Sequence, residues 1–358
     1  MDPRTVFDRR VRDLFQTAAL SRLFELPRTF RLLRTAAFQK SQARRRANEA
    51  AKGRTVPAVL IASVTRRCNL NCEGCYAKAL RPAGGSAAEL SDERFLELFR
   101  EALDLGTGVL MLAGGEPLLR RNLLERVSRI PGPLVPVFTN GLLVDEGWLE
   151  LFARGSLVPV FSIEGDASQT SARRGAGIHE RVLDSMKALK ARGALFGVSV
   201  TATSRNADTL LSAEFLRTLE ALGTSVLFAV EYVPAAPGTE HLVLTDSQKA
   251  ALGTKEAFRD LRYPVVLLPG DEEDYGGCLA AGRGFLHLSP EGALEACPFA
   301  PFSDTGTADR SLREALDSPL LAAIRARHSE LTETKGGCAL WNQGGWIASL
   351  GTCAARAS

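Results

Sequence analysis

The sequence predicts an α/β protein in which helices surround a parallel sheet, and two observations support that prediction. Six short apolar runs alternate with six helical patterns between residues 56 and 260. The runs are apolar throughout rather than alternating, as expected for strands of a parallel sheet that is buried on both faces. Strand–helix units in series are typical of a barrel or of a doubly wound sheet, and the pattern leaves both open.

The predicted elements follow one another with short connections. The strands are Val56–Val64, Gly108–Ala113, Leu134–Thr139, Leu157–Ile163, Leu195–Thr201 and Ser225–Val230. The helices are Asp92–Leu105, Asn122–Arg129, Asp145–Arg154, His179–Arg192, Asp208–Leu222 and Asp246–Asp260. Ligands of such folds bind at the carboxyl ends of the strands, so we expect the functional residues in the loops that follow them.

Two flanking segments set the predicted domain boundaries around a core of residues 56–262. Residues 1–55 form a basic helical extension, and the first 56 residues hold 14 Lys and Arg against 5 Asp and Glu. This extension could contact a membrane surface, dock an acidic partner, or pack its apolar side on the core. Residues 263–358 form a smaller C-terminal region with a predicted strand, Tyr263–Leu268, and a predicted helix, Leu312–His328.

Length and composition are those of a globular protein. The 358 residues suffice for one large α/β domain with a smaller appendage, and 45% are hydrophobic and 24% charged. No apolar run is long enough to cross a membrane, and the charged start lacks the apolar core of a secretory signal. We therefore expect a cytoplasmic protein, with a location peripheral to a membrane as the alternative, and no nucleic-acid partner.

Three of the seven cysteines, Cys68, Cys72 and Cys75, lie within eight residues directly after the first predicted strand. Clustered cysteines in a cytosolic chain indicate metal or redox chemistry rather than disulfides. Soft thiolates suit iron–sulfur clusters or zinc, but a closed zinc site needs a fourth ligand that the motif does not contain. A [4Fe–4S] cluster on three thiolates leaves one iron open for a substrate. A non-catalytic iron–sulfur electron carrier and a zinc-stabilised binding module are the alternatives.

The C-x3-C-x2-C spacing resembles the defining motif of the radical S-adenosylmethionine (radical SAM) superfamily, and the resemblance extends over about residues 56–232. Supporting motifs follow the strands in order, namely Ala113–Pro117, Phe138–Gly141 and Phe161–Gly165. The resemblance implies a partial (β/α)6 TIM-like barrel with an N-terminal helical extension and a small C-terminal α+β iron–sulfur domain. It also implies a [4Fe–4S] cluster on the three cysteines and S-adenosylmethionine as the second cofactor.

The resemblance further implies contacts with S-adenosylmethionine. Glu116 and the backbone of the GGE motif would hold the methionyl amino group, and a carboxylate suits an ammonium partner. The fourth-strand motif would lie by the ribose, and the loop after the sixth strand would lie near adenine and substrate. The family usually has an aromatic residue before the third cysteine, whereas this chain has Gly74 there and Tyr76 after the cysteine. The implied cofactor-binding residues are Gly74, Tyr76, Gly114, Gly115, Glu116, Thr139, Asn140, Ser162, Glu164, Ser199, Thr201 and Val233.

The later cysteines resemble a second motif. Cys278 and Cys297 have the spacing C-x13-G-x4-C, which resembles the opening of the SPASM and twitch extensions, and Ser289–Gly292 is a natural hairpin turn between them. The dense cysteine block that completes SPASM is missing, so a twitch-like domain with one auxiliary [4Fe–4S] cluster is implied. All four of Cys278, Cys297, Cys338 and Cys353 could be ligands. Alternatively, three are ligands, and Cys353 is a hydrogen donor to a substrate radical or an ordinary thiol.

The function implied by the resemblance is that of an enzyme. It would cleave S-adenosylmethionine reductively to a 5′-deoxyadenosyl radical, which abstracts hydrogen from an unidentified substrate. A peptide or protein, or a precursor of a cofactor or lipid, could be that substrate, and a flavodoxin- or ferredoxin-type protein would donate the electron. After the fourth strand, Arg173 and Arg174 could bind a carboxylate or phosphate, and a solvated loop is the alternative.

Overall fold

The computed structural model describes residues 26–80, 88–268, 275–331 and 338–350, together with the single positions 9, 11 and 16. These residues form one sheet of nine strands that is surrounded by helices. The strands are β1 (Val59–Ser63), β2 (Val109–Ala113), β3 (Val135–Thr139), β4 (Leu157–Ile163), β5 (Gly197–Ala202), β6 (Leu227–Glu231), β7 (Val265–Leu268), β8 (Phe285–Leu288) and β9 (Leu294–Glu295).

The order of the strands distinguishes the two predicted architectures. The sheet runs β7-β6-β5-β4-β3-β2-β1-β8-β9, so the first seven strands lie side by side in chain order. They are all parallel. A doubly wound sheet would reverse its order at a switch point, whereas strands added in sequence on one side form a barrel wall. The prediction of a partial α/β barrel is therefore confirmed.

Helices cover the outside of the barrel wall, and their boundaries follow capping signals in the sequence. Ser91, for example, accepts a hydrogen bond from the amide of Arg94 at the start of one helix, and Gly106 ends the same helix in a left-handed conformation. The described α-helices are Leu26–Ala51, Tyr76–Leu80, Asp92–Leu105, Arg121–Val127, Glu146–Arg154, Ala167–Arg174, Ile178–Ala191, Ala207–Leu211, Ala213–Leu222, Asp246–Gly253, Leu312–Ala315, Pro319–Ala326, Ala339–Asn342 and Gly344–Ser349.

Three predicted helices differ from the structure: the prediction over residues 246–260 ends at Gly253, and two others are divided, each at a residue with a local reason. The prediction over residues 208–222 breaks at Ser212, which has extended backbone and accepts a hydrogen bond from the amide of Phe215. The prediction over residues 312–328 breaks before Pro319, which has no amide hydrogen and therefore begins a new helix. The polar helix Ala167–Arg174 was not predicted, although Asp166 and Gln169 form a capping box at its start.

The N-terminal helix Leu26–Ala51 packs on the end of the barrel where the strands begin. Gln42 Nε2 donates to the carbonyls of Leu103 and Thr107 at 2.7 and 2.8 Å, and Gln39 Nε2 donates to that of Gly108 at 2.7 Å. Packing on the core, one of the three expected roles, therefore describes this helix. None of the described helices is long and apolar enough to cross a membrane. Contact of residues 1–55 with a membrane surface stays a prediction.

The C-terminal strands extend the barrel sheet at both sides. β7 pairs with β6, β8 pairs in parallel with β1, and β9 returns antiparallel to β8. His287 of β8 connects β9 to the barrel. Its Nε2 lies 2.9 Å from Ser63 Oγ of β1, and its Nδ1 lies 2.7 Å from Glu295 Oε2 of β9. The predicted hairpin turn at residues 289–292 is confirmed. The predicted domain boundaries at residues 55 and 262 stay predictions.

Candidate functional site

The predicted site residues follow the strands of the barrel, where each strand ends. Cys68, Cys72 and Cys75 lie in the loop between β1 and the helix Tyr76–Leu80. The carboxyl ends of parallel strands meet at one edge of the sheet, so these loops form one surface. The loops after β2, β3, β4 and β6 and the end of β5 contribute the other residues.

The cysteine loop carries three thiols close enough to interact electrostatically. Burial raises the pKa of Cys68, and the charges of Glu116, Cys72 and Cys75 add to this increase. The amide of Leu70 donates to Cys68 Sγ at 3.4 Å. Burial also raises the pKa of Cys72, and Arg174 and Arg173 oppose that increase. The loop therefore brings three thiols together beside two cationic side chains.

The glycines after β2 allow the cysteine loop to pack directly on the backbone. The amide of Gly115 donates to the carbonyl of Thr65 at 2.7 Å, and that of Glu116 donates to the carbonyl of Arg67 at 2.8 Å. A Cβ at Gly114 would lie 2.5 Å from the carbonyl oxygen of Thr65, and one at Gly115 would lie 2.6 Å from the carbonyl carbon of Arg67. Glycine is required at both positions because backbone atoms occupy the space of a side chain.

The carboxylate of Glu116 connects the ends of β2 and β3. Its oxygens accept from the amide of Leu118 at 3.0 Å, from Thr139 Oγ1 at 2.8 Å and from the amide of Asn140 at 2.8 Å. Burial raises the pKa of Glu116 although these hydrogen bonds lower it. Asn140 continues the chain of contacts, since its Nδ2 donates to Asn69 Oδ1 at 2.7 Å. Glu116, Thr139 and Asn140 thus hold the cysteine loop from the β3 side.

The carboxylate of Glu164, at the end of β4, lies against two arginines. Its Oε1 is 2.6 Å from Arg173 Nη1 and 2.5 Å from Arg174 Nη2. The arginine side chains are only 12% and 11% exposed, so the alternative of a solvated loop is wrong. Glu164 Oε2 and Arg173 Nε are both buried without a hydrogen-bond partner. The sequence analysis suggested that these arginines bind a carboxylate or phosphate, and the carboxylate that they contact in the structure is that of Glu164.

The end of β5 is joined to the same pair of charges. Ser199 lies opposite Ser162 of β4 in the sheet, and Thr201 lies two residues further on the same face. Thr201 Oγ1 accepts from Arg173 Nη1 at 2.9 Å. Asn206, which the sequence did not suggest, donates from Nδ2 to the carbonyls of Glu164 and Thr201, both at 2.9 Å. The predicted residues of β4 and β5 therefore come together.

Two tyrosines lie on either side of the third cysteine of the loop. The ring of Tyr76 contacts that of Phe299, with the centroids 4.7 Å apart. The space beside Gly74 is occupied by Tyr232, which lies in the loop after β6 that the sequence analysis expected near adenine and substrate. Its neighbour Val233, the predicted contact, is buried in the main hydrophobic core.

The C-terminal cysteines form a second group. Cys278, Cys297 and Cys338 are all buried. A hydrogen bond to Cys338 and burial raise the pKa of Cys297, and the nearby charges of Cys338 and Cys278 add to the increase. The same hydrogen bond lowers the pKa of Cys338, whose sulfur also accepts from the amide of Trp341 at 3.4 Å. Cys353 lies outside the described residues, so its three suggested roles stay predictions.

Neither group of cysteines is a compact site for a single ion. In the part of the chain that the structure describes, no three His, Cys, Asp or Glu side chains converge closely enough to hold one metal ion. Each group nevertheless supplies three soft thiolates, a donor set that suits an iron–sulfur cluster as well as zinc.

The protein is similar to enzymes of known activity over most of its length. Residues 62–204 match the family model of the Radical SAM superfamily. An AdoMet-dependent heme synthase of Methanosarcina barkeri is 26% identical over 313 residues, which cover 79% of this chain and 88% of the relative. A PqqA peptide cyclase of Granulibacter bethesdensis is 25% identical over 273 residues, which cover 72% of each protein.

A solved structure has the same fold. Streptococcus suis SuiB, determined bound to its precursor peptide SuiA, matches with a TM-score of 0.63 at 17% identity. The match covers 88% of this chain and 78% of that chain. This match supports a fold in which the barrel is followed by a C-terminal region.

Proposed function

Given that this chain belongs to the radical SAM superfamily and is one of its enzymes, we propose that it cleaves S-adenosylmethionine and abstracts hydrogen from a peptide or a cofactor precursor. Cys68, Cys72 and Cys75 would hold the [4Fe–4S] cluster. When bound, the reduced cluster supplies the electron that breaks the sulfonium C–S bond to give methionine and a 5′-deoxyadenosyl radical. A flavodoxin- or ferredoxin-type protein donates the electron in this proposal.

The observation that carries the proposal is a pair of unsatisfied polar atoms beside Cys72. Glu164 Oε2 and Arg173 Nε are buried without partners, although buried polar groups are nearly always hydrogen-bonded. One is an acceptor and the other a donor. S-adenosylmethionine offers hydroxyl and ammonium donors and a carboxylate acceptor, so its polar groups match both atoms. The cofactor therefore fits the residues that surround the cysteine loop.

The remaining residues of the site keep the loop in place. Glu116 receives three hydrogen bonds from within the protein, which gives its side chain a positioning role between β2 and β3. The backbone beside Gly115 is then the part of the GGE motif that is left to contact the methionyl amino group. Arg173 and Arg174 place positive charge near Cys72, which favours its thiolate form and suits an anionic ligand.

Cys278, Cys297 and Cys338 hold one auxiliary [4Fe–4S] cluster in this proposal. The hydrogen bond from Cys297 to Cys338 and the electrostatic contact with Cys278 support a common site for the three sulfurs. Cys353 is a candidate for the fourth ligand. The auxiliary site lies near the first one, since Phe299, two residues after Cys297, contacts the ring of Tyr76.

Reductive cleavage of S-adenosylmethionine is the direct test of this function. The anaerobically reconstituted protein is reduced with dithionite, and 5′-deoxyadenosine is measured by liquid chromatography and mass spectrometry. We expect product from the wild type and none from Cys72→Ala, with Cys353→Ala as the matched control that keeps the three cysteines of the loop. If the iron-loaded wild type yields no 5′-deoxyadenosine with dithionite or with reduced flavodoxin, the proposal is wrong and an electron carrier is favoured.

The substrate class is tested with deuterium. The heme synthase and the peptide cyclase among the relatives support a cofactor precursor and a peptide as the two candidates. The reduced enzyme is incubated separately with deuterated tetrapyrrole precursors and with deuterated peptides whose coding sequences neighbour the gene for this protein. Deuterium transferred to 5′-deoxyadenosine identifies the substrate class, and transfer from neither would exclude both.

A further inference from the structure

Tyr232 occupies the space beside Gly74, between the second and third cysteines of the loop. A Cβ built on Gly74 would overlap the Tyr232 hydroxyl and would lie 2.8 and 2.9 Å from the ring atoms Cζ and Cε2. Gly74 also has a φ of +65°, a conformation that side chains disfavour. Two features therefore require glycine at position 74: its left-handed backbone conformation and the tyrosine that lies against it.

The tyrosine is itself held firmly by three elements. Its hydroxyl donates to Thr239 Oγ1 at 2.6 Å, and its amide donates to the carbonyl of Ala202 at the end of β5 at 3.0 Å. The guanidinium carbon of Arg173 lies 6.0 Å from the centre of the ring, at the outer limit of a cation–π contact. The side chain is almost fully buried. It is therefore a fixed surface on which the cysteine loop rests.

The segment next to Gly74 is anchored on the same side. The amide of Glu73 donates to the carbonyl of Arg173 at 3.0 Å, and its carboxylate accepts from Arg205 Nη1 at 2.8 Å. These two bonds fix one residue of the segment, and the contact with Tyr232 fixes the next. Between Cys72 and Cys75 the chain thus depends on partners that follow β4, β5 and β6.

We propose that Tyr232 is a positioning residue of the cluster site, which holds the Cys72–Cys75 segment through its contact with Gly74. The ring lies against the loop from the end of β6, so it takes the place of a side chain at position 74. It also couples the loop after β6 to the cysteines, because any movement of that loop moves the ring. The contact itself is independent of the proposed function, and only the S-adenosylmethionine readout below rests on it.

A double-mutant cycle on the full-length reconstituted protein tests the contact. Wild type, Gly74→Ala, Tyr232→Leu, the double variant and Tyr232→Phe are compared. The first readout is the rate at which a chelator removes iron. The second is the dissociation constant for S-adenosylmethionine, measured from the change it causes in the electron paramagnetic resonance signal of the reduced cluster. Neither readout requires turnover.

Tyr232→Phe keeps the ring atoms that lie beside Gly74 and should match the wild type within about twofold, since it loses only the hydroxyl and its bond to Thr239. Tyr232→Leu should lose iron faster and bind S-adenosylmethionine about tenfold more weakly, the scale of a lost aromatic contact plus a displaced loop. Gly74→Ala should behave likewise. The effects in the double variant should combine to less than their product, because the overlap between the new methyl group and the tyrosine is then absent and only the backbone strain at position 74 is added.

Three outcomes would overturn the inference. Tyr232→Leu could match the wild type in both readouts, or the effects of the two single variants could multiply in the double variant. Circular dichroism could also show that Tyr232→Leu unfolds globally, which would make Tyr232 an ordinary core residue. If the wild type itself shows no change with S-adenosylmethionine, the proposed function fails instead, and the iron-release cycle still decides the role of Tyr232.

Discussion

Glu164 and Arg173 form a buried ion pair in which each partner keeps one unused polar atom. Oε1 and Nη1 are 2.6 Å apart, whereas Glu164 Oε2 and Arg173 Nε have no hydrogen-bond partner. Both residues interact electrostatically with Cys72. Because buried polar groups are nearly always hydrogen-bonded, the two unused atoms beside Cys72 support the proposal that a ligand binds there.

Glu164→Gln should therefore weaken the binding of S-adenosylmethionine. The amide keeps the shape of the side chain but removes the charge that orients the arginines and accepts a hydrogen bond from the ligand. We expect a loss of about tenfold or more in affinity, because hydrogen bonds to charged groups contribute about 1.5–3 kcal/mol. Equilibrium dialysis on the reconstituted protein measures the affinity for S-adenosylmethionine. Glu180→Gln, an exposed change in the next helix, is the control, and equal affinities of the two variants would contradict a ligand role.

The iron content should separate the two groups of cysteines. We expect about eight iron atoms per chain in the wild type and about four in the double variant Cys278→Ala/Cys297→Ala, because each cluster holds four. The loop cluster should remain and should still respond to S-adenosylmethionine in its electron paramagnetic resonance signal. Cys338→Ala is the complementary variant and should give the same iron content.

A wild type with about four iron atoms per chain would remove the auxiliary cluster from the proposal. Cys353→Ala addresses the remaining alternatives for that residue. An unchanged iron content together with normal formation of 5′-deoxyadenosine but no substrate product is expected of a hydrogen donor. A changed signal of the auxiliary cluster is expected of a ligand.

The sequence predicted the barrel well because the signal for each unit is local. A buried parallel strand is a short apolar run, and a surface helix is amphipathic, so each was recognisable without its neighbours. The order of the strands was not recognisable, because a barrel and a doubly wound sheet use the same units. The short helix Ala167–Arg174 was missed since it is polar and only eight residues long, with a single buried residue, Thr170.

The candidate site was predicted where the chemistry lies in a continuous motif. The cysteine trio and the glycine pair could be read from the sequence, and the structure brings them together through the contact of Gly115 with Thr65. The loop after β6 was expected near the site, but the individual contacts of Tyr232 and Asn206 could not be predicted, because they join residues more than forty positions apart. The sequence analysis assigned Glu116 to binding the methionyl amino group of S-adenosylmethionine. Its three hydrogen bonds within the protein became visible only in the structure, where β2 and β3 lie side by side.

Glu49 should make stability depend on pH, since it joins the N-terminal helix to the C-terminal region. Hydrogen bonds from Lys52, Arg54 and Arg313 lower the pKa of Glu49 to about 2. A carboxylate with a lowered pKa stabilises the fold above its unfolded pKa, and that contribution is lost as pH falls through the folded pKa. Glu49→Gln should therefore be less stable than the wild type at pH 7, by about 1 kcal/mol for a partly solvated network.

The difference in unfolding free energy should narrow as the pH falls from about 4.5 towards about 2, because Glu49 takes up a proton in the unfolded wild type over that range while it stays ionised in the folded state. Urea unfolding of both apo-proteins at several pH values measures the difference in their free energies of unfolding. Glu146→Gln is the control, since that carboxylate is exposed where it pairs with Arg192. A difference that is the same at pH 3 and pH 7 would show that packing, not charge, is responsible.

Gly115→Ala should disrupt the cysteine loop although the substitution adds only one methyl group. The new methyl group would meet the backbone of Arg67, one residue before the first cysteine, and a backbone atom cannot rotate away as a side chain can. Overpacking of this kind costs about 1–3 kcal/mol, and we expect the strain to be relieved by displacement of the loop. The variant should therefore lose the loop cluster, seen as a loss of iron and of the response to S-adenosylmethionine.

The matched control is Gly253→Ala, at the end of the helix Asp246–Gly253. A Cβ there would meet nothing within 4 Å, and its φ is not in the left-handed region, so alanine should be neutral or slightly stabilising. Thermal unfolding followed by circular dichroism and iron analysis are measured on both variants. A Gly115→Ala protein with full iron and unchanged S-adenosylmethionine affinity would show that the loop can move away from β2 without losing its function.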